Sequence, residues 1–254
     1  MSDAATQPTA AMLVIGDEIL SGRTRDANAH LLAKVMTEIG VRLTEIRVVP
    51  DEVDVIVGAV NELRARADHV FTSGGIGPTH DDITADCIAA AFGVPIDVRE
   101  DARTILAEHY AKTDRELNEA RLRMARIPDG ATLIENPVSA APGFTLGNVH
   151  VMAGVPAVFE TMLEGLSPSI QGGPPLVAHS FRAEIGEGDL AGPLGSVAEA
   201  FPDVSMGSYP FGGGAGAILV LRSADRVRLA AAADALRDRL DKMPGNVLET
   251  PPDP

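Results

Sequence analysis

The feature that most constrains the fold of this chain is a regular alternation of short apolar runs with amphipathic helical patterns. Met12–Ile15 has the composition of a buried strand, and Val41–Val49 and His69–Thr72 are predicted as the second and third strands. Between them, residues 26–39 and 53–63 place apolar side chains at helical spacing. Strands that alternate with helices predict βαβ units, because parallel strands need a crossover connection. We therefore predict an α/β fold with a mostly parallel sheet covered on both faces.

The same alternation continues to about residue 170. We expect a helix over 84–92, two helices within 101–126, a strand over 131–134 and a helix over 155–166. Gly147-Asn148 predicts a hairpin turn between strands 144–146 and 149–152. The first ten residues and the last six are expected to be loose ends.

A change of composition after Ser167 indicates a second domain. Pro168–Pro175 contains Gly-Gly-Pro-Pro, which predicts a linker. The shorter segments that follow have the order β-α-β-β-α, typical of a small α+β domain. We place the first domain at 10–170 and the small domain at 176–245.

The charge balance indicates which classes of binding partner are not expected. There are 21 Lys and Arg against 36 Asp and Glu, a net charge of −15. Such a chain repels phosphate backbones and anionic lipid, so neither nucleic acid nor a membrane is an expected partner. A single cysteine, Cys87, excludes an internal disulfide, and it lies on an apolar helical segment typical of a core. With a polar start and no spanning apolar run, the chain is expected to be cytoplasmic.

The segments most informative about chemistry follow the predicted strands, because ligands of open α/β sheets bind at the carboxyl ends of strands. Gly16 and Glu18 follow the first strand, and Asp51 follows the second. The third strand leads into Ser73-Gly-Gly-Ile-Gly-Pro78. Its glycines, Gly74, Gly75 and Gly77, let backbone N–H groups approach an anion, and the helix starting near Thr84 adds its positive dipole end. We predict a phosphate site, although the loop is neither a Walker loop nor a dinucleotide fingerprint.

Acidic side chains beside a phosphate site predict a divalent cation. Asp81 and Asp82 would repel an anion unless a metal, most simply Mg²⁺, lay between them, and Glu18 could join them. Each acid also has a structural interpretation. Asp82 could cap the helix that starts near Thr84, and Asp51 could cap the helix over 53–63. Glu18 could pair with Arg23 or Arg25.

Other loops carry weaker signals. Pro142-Gly143 could form a wall of the pocket or be a plain turn, and Gly154 lies at another strand end. Gly212–Ala217 matches G-x-G-x-x-A, but a strand follows it, so a hairpin tip is favoured. The histidines have no spacing typical of a zinc site.

Five segments in order resemble the molybdopterin-binding (MoCF) domain, in the form found in CinA-type proteins. They are 16–22, Asp26-Ala-Asn28, Val49-Pro-Asp51, 72–84 and Met152-Ala-Gly-Val-Pro156. The remainder to about residue 245 is similar to the small domain that follows in that family. We find no counterpart of the amidase domain that ends full-length CinA, so deamidation of nicotinamide mononucleotide is not expected.

The resemblance implies a three-layer α/β/α domain that binds a pterin or nucleotide through the glycine loop, and a homo-oligomer, either a dimer or a trimer. For the CinA-type branch it implies hydrolysis of a nucleotide pyrophosphate such as ADP-ribose or FAD, with Mg²⁺, Mn²⁺ or Co²⁺ and K⁺. In the family's molybdopterin adenylyltransferases, the counterparts of Asp51 and Asp82 are the functionally important acids. Ile76, where molybdopterin enzymes usually have threonine, favours this branch, whereas Ala153 replaces a usual proline.

Two alternatives stay open. One is an adenylyltransferase of molybdenum cofactor biosynthesis. The other is a module that binds a pterin or nucleotide without catalysis, in which the acids are helix caps.

Overall fold

The computed structural model describes residues 7–251, and these form two compact units that divide between Gly173 and Pro174. Residues 1–6 and 252–254, which belong to the two predicted loose ends, lie outside the described residues. The inner parts of those ends are ordered, which corrects the prediction. The first strand starts at Thr9, and Glu249 and Thr250 lie in a strand.

The first unit contains strands and helices in the predicted alternation. In chain order they are β1 (Thr9–Ile15), α1 (Asp17–Leu20), α2 (Asn28–Glu38), β2 (Arg42–Val49), α3 (Val53–Arg64), β3 (His69–Ser73), α4 (Thr84–Phe92), β4 (Ile96–Val98), α5 (Glu100–Tyr110), α6 (Glu119–Leu122), β5 (Arg126–Pro128), β6 (Thr132–Ile134), β7 (Gly143–Leu146), β8 (Val149–Met152) and α7 (Pro156–Leu166).

Its main sheet has the strand order β2-β1-β3-β8-β7-β6. The strands β2, β1, β3 and β8 are parallel to one another, whereas β7 is antiparallel to both β8 and β6. The α/β prediction with a mostly parallel sheet is confirmed. The antiparallel strand arises from the predicted hairpin, in which Gly147 has the positive φ of 57° that a tight turn requires.

Two apolar cores cover the two faces of this sheet, as a three-layer domain requires. Because successive strand residues point to opposite faces, Leu13 of β1 packs with α3 and α4, whereas Met12 packs with α2 and α7. Both side chains are fully buried. The central strands are therefore buried on both faces and need no alternating pattern, although β3 and β8 also bury the polar residues Thr72, Ser73 and His150.

The division between the two units lies within the predicted linker, but the first part of that segment packs on the first unit. Ile170 is buried in the first unit, and the Gly173 amide donates to the Ile39 carbonyl at 3.1 Å. A Cβ on Gly172 would overlap that same carbonyl. The glycines allow the chain to pass directly against the end of α2, so their role is close packing.

The second unit has the predicted β-α-β-β-α order with one further strand. It contains β9 (Val177–Ala183), α8 (Glu187–Ala200), β10 (Ser205–Phe211), β11 (Gly216–Ser223), α9 (Arg226–Leu240) and β12 (Val247–Thr250). The sheet order is β10-β11-β9-β12, antiparallel throughout. Gly212–Gly214 forms the tip between β10 and β11, as predicted.

Glu249 explains why the end of the chain joins this sheet. Its carboxylate accepts hydrogen bonds from Arg237 of α9 and lies 2.6 Å from Nε2 of His179 in β9. Val247 packs against the core of the second unit, and side-chain charge pairs support the more polar end of β12.

No helix among residues 7–251 is both long enough and apolar enough to span a membrane.

Candidate functional site

The carboxyl ends of β1, β3 and β8 meet at Gly74. The Gly74 amide donates to the Met152 carbonyl at 3.2 Å, and a Cβ at Gly74 would overlap the Ile15 carbonyl. On the other side, a Cβ on Gly154 would lie 3.2 Å from the Gly74 α-carbon. With φ at 108°, position 74 admits only glycine, because a side chain has neither a favourable backbone conformation nor space.

The glycine loop then turns into α4 through Thr84. The buried Thr84 hydroxyl donates to the Gly74 carbonyl at 2.9 Å, and the Thr84 amide donates to the Gly75 carbonyl at 3.0 Å. Gly75 has φ at 67° and packs against this hydroxyl. Within the described part of the chain, the amides of Gly75, Ile76 and Gly77 donate no hydrogen bond. Three consecutive free donors on a half-exposed loop can receive an anion.

Asn28 joins two of these strand ends. Its side-chain nitrogen donates to the Ser73 hydroxyl and to the Gly154 carbonyl, both at 2.8 Å. Asn28 is 2% exposed, and its side-chain oxygen is buried without a partner. The sequence placed Asn28 only within a matched segment. The structure shows that it holds the β3 and β8 loops together.

Asp51 lies beside the adjacent strand end. Its Oδ2 accepts a hydrogen bond from the Asp17 amide at 2.9 Å, at the start of α1. Burial raises the pKa of the Asp51 carboxyl, and the negative charges of Asp17, Glu18 and Asp81 raise it further against that hydrogen bond. The position before α3 is Glu52, and no side chain caps that helix, so the interpretation of Asp51 as an N-cap is wrong.

Asp82 turns back into the loop instead of capping α4. Its Oδ2 accepts hydrogen bonds from the amide of Thr79, at 2.8 Å, and from the Thr79 hydroxyl. A Cβ on Gly77 would lie 2.6 Å from the same carboxylate. Residue Ile83 precedes α4 and no side chain caps it, so the helix-cap interpretation of Asp82 is wrong. Gly75, Gly77 and Asp82 therefore share one site.

Asp81 and Glu18 complete the acidic group. Asp81 is exposed, and a hydrogen bond from the Thr79 side chain lowers the pKa of its carboxyl. The Glu18 carboxylate folds back over Gly16, whose Cβ would lie 2.6 Å from it. Across residues 7–251, no ion pair joins Glu18 to Arg23 or Arg25. That alternative is not observed.

Two arginines that the sequence did not indicate as site residues lie beside the glycine loop. Arg123 donates to the Asp82 carbonyl at 3.4 Å, and Arg126 pairs with Asp86. Both line a narrow cleft of about 20 Å³ along the loop, which Pro142 also lines. The segment carrying them was predicted as helix, and only the β4–β5 ribbon brings it to the loop.

Several predicted ligand residues have structural roles. The Gly16 amide donates to the Val49 carbonyl, and the Gly74 amide donates to the Met152 carbonyl, so neither amide is free to bind an anion. The Ser73 hydroxyl is buried against Asn28. Gly143 lies inside β7, where a Cβ would overlap the Val151 carbonyl, so it does not line the cleft. Cys87 is buried, as expected.

The acids do not form a complete metal cage. Among residues 7–251, no group of three or more His, Cys, Asp or Glu side chains is arranged to hold a metal ion. The charges around Asp51 still favour a cation there. Mg²⁺ commonly binds through one or two carboxylates together with substrate phosphates, so such a partial set fits it.

Two family models match the two units of the chain. Residues 11–172 match the family described as "Probable molybdopterin binding domain", and residues 175–244 match "FAD synthase, middle domain". A relative from Pyrobaculum calidifontis is 37% identical over 214 residues, covering 81% of this chain and 82% of its own.

Two further similarities involve CinA proteins. A CinA-like protein of Citrifermentans bemidjiense is 39% identical over 158 residues, which cover 61% of this chain and 38% of that protein. The crystal structure of CinA from Thermoplasma acidophilum superposes with a TM-score of 0.60 at 34% identity, covering 64% of this chain and 97% of that one. The chain therefore belongs to the molybdopterin-binding domain family, with CinA-like proteins among its relatives.

Proposed function

We propose that this protein is a metal-dependent nucleotide pyrophosphatase that acts on ADP-ribose, FAD or a similar dinucleotide. The observation that carries the proposal is the meeting of three free loop amides with the Asp51, Glu18, Asp81 and Asp82 carboxylates at one edge of the sheet. Donors for a diphosphate and acids for a cation and a proton are the two requirements of phosphoanhydride hydrolysis.

The loop would bind the diphosphate on its open side. The cleft beneath it has room for about one water molecule, so the phosphates lie over Gly75, Ile76 and Gly77. The amides there donate to the oxygens on which charge grows as the P–O bond breaks. The α4 dipole and the Arg123 guanidinium add positive charge from the side of the cleft.

Asp51 would take the proton from the attacking water. Its Oδ2 is held by the Asp17 amide, which leaves Oδ1 for the water. A raised carboxyl pKa brings a general base closer to neutral pH. Water adds to one phosphorus, the bond to the bridging oxygen breaks, and ADP-ribose gives AMP and ribose 5-phosphate.

The divalent cation would be held by one or two of the Glu18, Asp81 and Asp82 carboxylates together with phosphate oxygens. When bound, it neutralises phosphate charge and polarises the phosphoryl group. Asn28 is a positioning residue, because it fixes the β3 and β8 loops relative to one another.

The test is a hydrolysis assay on ADP-ribose and FAD with Mg²⁺, Mn²⁺ or Co²⁺, followed by AMP release. A single lost transition-state contact of ~3 kcal/mol corresponds to about a 100-fold loss of rate. We expect at least that loss for Asp82→Ala and Asp51→Asn, with no change for Glu164→Gln, an exposed acid on α7. Wild-type rates in both site variants would refute the assignment.

The second candidate is adenylyl transfer to molybdopterin, favoured by the family to which the chain belongs. Incubation with ATP and molybdopterin separates the two activities. Formation of adenylylated pterin without net hydrolysis would support transfer. Tight binding of nucleotide in calorimetry, with no turnover under any of the three metals, would support the non-catalytic module instead.

A further inference from the structure

A second polar site lies at the opposite end of the main sheet. His69 is the first residue of β3, and His150 is near the start of β8, so both lie at the amino ends of strands whose carboxyl ends carry the glycine loop and Gly154. At ~3.3 Å per residue, the length of β3 separates His69 from Ser73 by about 13 Å. This site is distinct from the acidic edge.

The two imidazoles face one another. Nδ1 of His69 lies 3.3 Å from Nε2 of His150, and the ring centroids are 5.5 Å apart. Two nitrogens bound to one tetrahedral zinc ion at ~2.0–2.1 Å are about 3.3–3.4 Å apart. The separation therefore matches the one that a single ion requires.

Each ring also has a partner on its other side. Nδ1 of His150 lies 3.0 Å from the Thr145 hydroxyl, and the His69 ring donates to the Gln171 backbone carbonyl. Metal-ligating histidines characteristically use their second ring nitrogen in this way, which fixes the tautomer and the ring orientation. Because the threonine hydroxyl can accept as well as donate, His150 can carry its proton on Nδ1 and leave Nε2 free.

The surroundings favour a cation. The rings line an open cavity of about 680 Å³, and its described lining includes the carboxylates of Asp68 and Glu135 but no lysine or arginine. The carboxyl end of α7, at Gly165 and Leu166, also lines it and contributes the negative end of its dipole.

We propose that His69 and His150 form a binding site for one divalent transition-metal ion such as Zn²⁺, with water completing its coordination. Imidazole nitrogens suit Zn²⁺, Co²⁺ and Ni²⁺, whereas Mg²⁺ prefers carboxylate and water oxygens, so Mg²⁺ is expected at the acidic edge and not at this site. The histidines are 81 positions apart in the sequence, which is why no local spacing predicts the site.

The test is Zn²⁺ titration of the metal-free full chain by calorimetry at pH 7.5, with Co²⁺ visible absorption as a second readout. In the presence of excess Mg²⁺, which occupies the acidic edge, we expect one Zn²⁺ ion per chain, and at least tenfold weaker binding of that ion in His69→Asn and in His150→Asn. His30→Asn and His80→Asn are the matched controls, because both side chains are exposed and neither lines the cavity.

His69→Asn carries the test even if the more deeply buried His150 variant fails to fold. The proposal is overturned if the wild type binds no Zn²⁺, or if His69→Asn binds it as tightly as the wild type. Neither result depends on hydrolysis at the glycine loop, so this proposal and the proposed function fail independently.

Discussion

Gly75→Ala tests whether the glycine loop has the conformation described here. At φ 67° the backbone lies in the left-handed region, which costs a residue other than glycine ~1–2 kcal/mol. The new Cβ would also overlap the buried Thr84 hydroxyl and lie 3.2 Å from the Thr84 Cβ. Moving that hydroxyl loses its hydrogen bond to the Gly74 carbonyl, worth about 0.5–1.5 kcal/mol.

Together these terms predict a loss of ~2–3 kcal/mol in the free energy of unfolding of the first unit. For a unit of this size, that lowers Tm by about 5–10 °C in differential scanning calorimetry. Gly58→Ala is the control, because Gly58 lies inside α3 with no atom within 4 Å of the added Cβ. It should raise stability by ~0.5–1 kcal/mol.

A double-mutant cycle separates the steric contribution from the backbone contribution. In a Thr84→Ala background the clashing hydroxyl is absent, so Gly75→Ala should cost ~1 kcal/mol less than in the wild type. A Gly75→Ala protein that melts within about 1 °C of the wild type would refute the loop conformation. An additive cycle would refute the contact with Thr84.

Three further predictions follow from other parts of the first unit. Burial lowers the pKa of His150 to about 4, so the folded state rejects a proton that the unfolded chain accepts below about pH 6.5. The free energy of unfolding therefore has its full value above pH 6.5 and falls by ~3 kcal/mol as the pH decreases towards 4. Urea midpoints for His150→Gln should depend less on pH than those of the wild type. Asp51→Asn should leave the urea midpoint at pH 7 unchanged or higher, because the amide oxygen still accepts from the Asp17 amide while the repulsion from nearby acids is removed; a clear decrease would contradict this. Gly143→Ala should destabilise by about 1–3 kcal/mol in the same assay because its Cβ overlaps the Val151 carbonyl, whereas Gly165→Ala, with open space around it, should have no such cost.

Side-chain periodicity was sufficient to predict the longer strands and helices of the first unit. The buried strand β1 is a nearly continuous apolar run, and a helix such as α2 repeats its apolar residues every three to four positions, so both patterns are local. The short strands β4 and β12 lack such a pattern. They form because a distant partner supplies hydrogen bonds or charge pairs, as Arg237 does for Glu249.

The sequence by itself determined the α/β alternation, the glycine loop after β3 and the family, since these depend on residues that are adjacent in the chain. The tertiary structure decided which groups on those loops are free to bind a ligand. It assigned the Gly74 amide to Met152, turned Asp82 away from α4, and brought Arg123 beside the loop. It also paired His69 with His150. Hydrogen-bond partners across strand ends depend on the order in which strands pack side by side, and no local pattern of residues contains that order.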